Sequence, residues 1–218
     1  MSYITTDMVN QFRDHSLIIQ VALPNFQVFR MQKPNTRVMS MQLSFSPEGI
    51  ALQGDVKIEG NGSCSCFGYG LDWFASKLSG SYLCEKFLQH EFVPEIAIRD
   101  LRDPKGHWKT CCPEGHENKR AKDCNAIADM IEAGELGPER VWELLDDDGM
   151  DVSDGIPGYA YNPVKAGWLC IIQMKFRELL APLLMEKISF LTESERPAKI
   201  ALAKDGAIRK LITQLMIG

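Results

Sequence analysis

The sequence predicts an α+β fold, an N-terminal antiparallel meander of strands packed by C-terminal helices. Three observations carry this prediction. Residues Arg37 to Phe45 alternate, with Met39, Met41, Leu43 and Phe45 on one face and Ser40, Gln42 and Ser44 on the other, the period of a half-buried strand. Ser46-Pro47-Glu48-Gly49 follows with turn chemistry, so Ile50 to Val56 returns antiparallel. Beyond Gly70 the apolar period lengthens to that of helices.

Taken in order, Leu17 to Leu23 and Phe26 to Met31 are strands separated by Pro24-Asn25, and Lys33-Pro34-Asn35-Thr36 turns the chain into the Arg37 to Phe45 strand. Four strands make the simplest meander. Leu71 to Leu78 and Ser81 to Phe92 are short helices, the second with Ser81 as N-cap. A loop rich in Pro, Gly, Lys and His spans Asp103 to Lys119. Ala121 to Ala133 and Pro138 to Leu145 are helices, the latter with Pro in its first turn. After an acidic loop from Asp146 to Gly158, Val164 to Leu180 brings Trp168, Ile171, Ile172, Phe176, Leu179 and Leu180 to one face, and Pro182 is expected to end or kink this helix. Thr192-Glu193-Ser194-Glu195 has the capping-box pattern, and the helix it would open carries Ile200, Ala203, Ala207, Leu211 and Leu215 in a stripe, weakened at Gly206 by about 1 kcal/mol. Residues 1–182 thus read as one α+β domain, with the sheet at about 15–67 and helices and loops at 70–182. Residues 183–218 form a helical annex, either part of that domain or a dimerisation element.

Composition narrows the function. At 218 residues and 45% hydrophobic, the chain has enough apolar content for a core. Its formal charge of −5 disfavours general duplex-DNA binding, which draws its affinity from neutralising phosphates. Seven cysteines are an odd set, read as reduced thiols in a cytoplasmic protein. The N-terminus lacks the pattern of a secretory signal, and no run of about 18 apolar residues suggests a membrane span.

Site chemistry is sparse. His107, Cys111, Cys112, His116 and Cys124 place five nitrogen or sulfur donors within eighteen residues, the donor types that zinc prefers. Their spacing matches no paired Cys-x2-Cys arrangement, so no cofactor is predicted and zinc stands as the alternative. Cys64-Ser65-Cys66 could add sulfurs, but the pair is read as structural, with its two thiols expected on opposite faces of a strand. The run from Asp146 to Asp151 fails as an EF-hand loop, because Leu144 and Gly155 occupy its first and last ligand positions. Asp146, Asp147, Asp148, Asp151 and Asp154 read instead as a solvated acidic loop, or as a contact surface for a basic groove. No nucleophile elbow, His-Glu-x-x-His pair or phosphate-binding loop is present. Asp55 and Asp72 read as turn and cap residues, and Cys84 as core. Tyr69, Trp73 and Phe74 are the residues of an alternative aromatic ligand pocket.

Phe29-Arg30-Met31-Gln32-Lys33-Pro34, the hairpin ending Gly49-Ile50-Ala51-Leu52-Gln53-Gly54-Asp55, then Leu71-Asp72-Trp73-Phe74 and Ser81-Tyr82-Leu83-Cys84-Glu85-Lys86-Phe87 carry a resemblance across roughly residues 25–90. This block resembles a group of uncharacterised accessory proteins of tailed bacteriophages and prophages, with Gly-Asp, an aromatic helix and Tyr-x-x-x-Lys in that order. The segment after Gly54-Asp55 is longer and richer in cysteine here. The resemblance implies an accessory protein acting in the bacterial cytoplasm and brings no activity with it. The expected function is to bind and inhibit a bacterial protein, such as a component of antiphage defence, without catalysis. The alternatives are a metal-assisted hydrolase or nucleotide-handling protein built on the Cys/His loop, and a small-ligand sponge built on the aromatic pocket. Self-association through the C-terminal helices is a further expectation.

Overall fold

The computed structural model of the protein describes residues 4–23, 25–56, 58, 62–103, 117–147 and 157–189. It has the predicted class, an antiparallel N-terminal sheet followed by helices. These elements fold as two compact units, one from the residues up to Leu88 together with those from Pro163, the other from Gln89 to Asn162.

In the first unit a short helix α1, Thr6–Gln11, opens on the Thr5 side chain, which accepts the Met8 amide at 3.3 Å. Strands β1 (Ser16–Leu23), β2 (Phe26–Gln32), β3 (Met41–Phe45), β4 (Gly49–Gly54) and β5 (Ser63–Phe67) then pair antiparallel in chain order. The register aligns Phe29 with Leu43, Leu43 with Leu52 and Leu52 with Cys64, so one apolar row crosses four strands. The meander has five strands rather than four. Its fifth alternates Ser and Cys in period 2 before Phe67, with few of the branched and aromatic side chains by which strands are usually read. Residues i and i+2 of a strand share a face, and Cys64 and Cys66 are both buried on the inner one, which corrects the expectation that they point apart.

The predicted Arg37 to Phe45 strand is shorter at its start. Met39 has φ 59°, a left-handed conformation that takes it out of the ladder, so only Met41, Leu43 and Phe45 carry the inward stripe. The Ser46 to Gly49 turn forms as predicted, with Ser46 N–H donating to the Gly49 carbonyl at 2.9 Å. At the far end of β4, a Cβ on Gly54 would sit 2.1 Å from the Ser40 carbonyl oxygen, so no other residue fits there without moving the backbone. Asp55 completes this crossing, its carboxylate accepting the Ser40 amide at 3.1 Å and its own N–H donating to the Ser40 carbonyl at 3.0 Å.

Helices α2 (Leu71–Ala75), α3 (Gly80–Phe87) and α7 (Pro163–Ser189) complete this unit. Phe29 and Phe45 from the sheet, Phe74 from α2 and Phe176 from α7 meet with ring centroids 5.2 to 5.9 Å apart, the spacing of favourable edge and tilted aromatic pairs. All four are completely buried. In α3 the cap is Ser79 rather than Ser81, its hydroxyl accepting the Tyr82 amide at 3.3 Å, and the helix stops at Phe87 instead of Phe92. Helix α7 begins one residue earlier than predicted and runs through Pro182 to Ser189. The C-terminal helix expected after Thr192 lies outside the described residues.

The second unit pairs β6 (Glu91–Phe92) with β7 (Tyr159–Ala160) and contains α4 (Pro94–Arg102), α5 (Glu117–Glu132) and α6 (Pro138–Asp147). The sequence reading missed α4 and with it the break at Val93, which Pro94 holds out of helical geometry at φ −115° and ψ 101°. Ala97, Leu101, Cys124, Ile127, Ala128, Ile131, Val141 and Leu145 close its core. Arg102 ties α4 to α5 through Asp129 at 2.7 Å and Glu132 at 2.5 Å.

Candidate functional site

The candidate site lies on the first unit, where the residues leading into α2 meet one flank of α3. Helix α2 has five residues, too few to persist alone, and no side chain caps its start at Gly70. Its C-terminal end is held from α7. Gln173 Nε2 donates to the carbonyls of Phe74 at 2.8 Å and Ser76 at 2.7 Å, and Arg177 Nε donates to that of Ala75 at 3.1 Å. Gln173 and Arg177 are one helical turn apart, so a single face of α7 satisfies carbonyls that a helix end leaves without partners. Helix α2 is thereby fixed with Leu71 and Phe74 inward and Trp73 half-buried.

Tyr82 and Lys86, four residues apart on α3, reach the same place, while Leu83, Cys84 and Phe87 turn inward. The Tyr69 and Trp73 rings lie 4.4 Å apart, and Tyr82 meets Trp73 edge-on at 6.0 Å. The two tyrosine hydroxyls are 3.4 Å apart. Lys86 Nζ lies 5.8 Å from the Tyr69 ring centroid and 5.2 Å from that of Tyr82, within the range of cation–π attraction. Beneath them Phe87 stacks on Trp73 at 6.3 Å and joins the cluster to the core.

The electrostatics suit contact rather than proton transfer. Glu85, bonded to Lys86 at 2.6 Å, holds the ammonium above the usual lysine range, so it stays charged. The Tyr69 hydroxyl raises the Tyr82 phenol, which stays protonated. Neither group is a base or a nucleophile at neutral pH. The face offers a half-buried Tyr-Trp-Tyr cluster, two hydroxyls and a cation, and Trp and Tyr are the residue types enriched where protein partners anchor.

The other predicted site residues fall elsewhere. Phe74 does not line a pocket with Tyr69 and Trp73. It is fully buried against Phe45 and Phe176, because consecutive helix positions point about 100° apart. Cys124 is fully buried in the core of the second unit, and His107, Cys111, Cys112 and His116 lie outside the described residues. Among the described residues no group of three or more His, Cys, Asp or Glu could hold a metal ion. Asp146 and Asp147 end α6, with their side chains outside the described set, as are Asp148, Asp151 and Asp154. Elsewhere on the first unit, concavities include a groove of about 270 Å³ between α1 and α7, lined by Val9, Phe12, Ile171 and Met174, and a trough of about 170 Å³ on the sheet between Phe26 and Phe67.

Tyr82 and Lys86 were not among the sequence candidates, yet the signal was present. Tyr-x-x-x-Lys is the spacing of two residues on one helical face, and Trp73 precedes it at a distance that a tight helix pair closes. Comparison with known protein families, curated proteins and solved structures gives no match. No helix among the described residues is long and apolar enough to cross a membrane.

Proposed function

We propose that this chain is a phage-encoded accessory protein that binds and inhibits a bacterial protein without catalysis, anchoring it on the face formed by Tyr69, Trp73, Tyr82 and Lys86. The observation that carries the reading is the pairing of a half-buried Tyr-Trp-Tyr surface with a lysine kept charged over its rings. Aromatic side chains with few rotatable bonds contribute most to binding when a partner desolvates them fully, and a charged nitrogen beside them fixes the orientation of that partner. The site of action is the bacterial cytoplasm, and a component of antiphage defence is the target class that the phage resemblance suggests. The acidic run Asp146 to Asp154 would act separately, by steering basic partners over long range.

The test is capture from lysates of several bacterial hosts with the wild-type chain and with Trp73→Ala and Tyr69→Ala as parallel baits, then reconstitution with the purified partner. Trp73→Ala is expected to lose at least about 2 kcal/mol of binding, more than tenfold in Kd, while keeping the wild-type circular dichroism spectrum. A partner held equally by all three baits moves the site elsewhere. Repeated absence of a specific partner rejects the inhibitor reading.

A further inference from the structure

Two buried thiols lie close together between α3 and α7 of the first unit. Cys84, on the inward side of α3, and Cys170, on α7, are both buried. One turn before Cys84, a Cβ on Gly80 would come 3.0 Å from the Cys170 sulfur. The absence of a side chain at that position lets Cys170 Sγ settle against the α3 backbone beside the Cys84 thiol. The pair also brackets the second unit in the chain, because residues 89–162 lie between the two cysteines.

We propose that Cys84 and Cys170 are a redox-active dithiol that hydrogen peroxide closes to a disulfide, cross-linking α3 to α7 at the two ends of the chain from which the second unit departs. The roles of the two sulfurs differ. Cys170 keeps 8% of its surface exposed whereas Cys84 is fully enclosed, and the neighbouring thiol pushes Cys84 up and Cys170 down, so Cys170 is the sulfur that peroxide meets first. Its sulfur attacks one peroxide oxygen, the O–O bond breaks, and the departing hydroxide takes up the thiol proton as water, leaving a sulfenic acid on Cys170. The Cys84 sulfur then attacks the Cys170 sulfur, the S–O bond breaks, and a second water carries away the Cys84 proton. Two thiols and one peroxide thus give one disulfide and two waters. The cross-link closes a long loop and restrains the unfolded chain.

The whole chain would be titrated with peroxide, its free thiols blocked, and its peptides mapped without reduction. A Cys84–Cys170 peptide, lighter by two hydrogens and lost on adding dithiothreitol, is expected in the wild type before any other disulfide. In Cys84→Ala, dimedone should trap a sulfenic acid on Cys170, whereas in Cys170→Ala, Cys84 should remain an unmodified thiol. Oxidation should slow proteolysis at residues 89–93 and 161–163 at least several-fold. Recovery of Cys84 and Cys170 as separate blocked thiols from folded, peroxide-treated wild type would overturn the proposal, as would pairing of either with a different cysteine. Dimedone labelling of Cys84 in Cys170→Ala would overturn the assignment of the nucleophile.

Discussion

His15 shows how one buried side chain governs a local turn. It is 5% exposed, its ring lies 4.6 Å from that of Phe12, and its Nε2–H donates to the carbonyl of Met39 at 3.0 Å. That bond helps to hold Met39 in its left-handed conformation, an uncommon state for a residue with a long side chain. His15 Nδ1 is buried and accepts no hydrogen bond from the described residues. Burial lowers the His15 pKa below 6.5, against the opposing effect of the Met39 bond, and Lys175 and Lys33 lower it further. The folded state therefore resists protonation, whereas the unfolded chain takes up a proton near pH 6.5, so stability is full above that value and falls as the pH drops below it. Urea unfolding at pH 7.5 and 5.5 should show a larger fall in midpoint for the wild type than for His15→Gln. Neither the role of His15 nor the turn at Met39 was legible in the sequence, because both depend on a contact between residues 24 apart.

Among the elements, α2 depends most on its neighbours. The sequence reading placed a helix from Leu71 to Leu78, and the structure keeps only Leu71–Ala75. The shortening has a cause in the hydrogen bonds: Ser76 Oγ donates to the Trp73 carbonyl at 2.6 Å, and Gln173 takes the Phe74 and Ser76 carbonyls that a longer helix would have used itself. Gln173→Ala strands a buried acceptor and should cost about 1–3 kcal/mol, read as a lower urea midpoint with an unchanged slope. Since α2 carries Trp73, the same substitution should weaken partner capture more than its effect on stability explains. Strands β2 and β4 and helices α5 and α6 were readable from period and turn chemistry, because their patterns are local. β5, α1 and α4 were not, β5 for its small Ser and Cys residues, α1 for its brevity, and α4 because the helix read from Ser81 ran on to Phe92 and hid the break before Pro94.

At the scale of the whole molecule, the described chain is a sheet-and-helix unit interrupted between α3 and α7 by a helical unit with its own core. Each unit meets its own need for apolar burial, so each can be perturbed separately. The acidic run from Asp146 is the clearest case. Replacing Asp146, Asp147 and Asp148 together by Asn should leave the urea midpoint nearly unchanged and slow association with the captured partner several-fold at low salt, with the difference vanishing at high salt. An equal association rate at low salt would remove that run from binding. Legible in the chain alone were the α+β class, the β3–β4 hairpin and the apolar stripe of α7, since each follows from spacing along the chain. Three-dimensional packing settled that Phe74 is core while Trp73 joins Tyr69, Tyr82 and Lys86, that α7 holds the end of α2, and that Cys170 lies against α3 near Cys84. The physical reason is separation in sequence. These contacts join residues up to about a hundred positions apart, and no local period or turn preference reports which distant surfaces will close on one another.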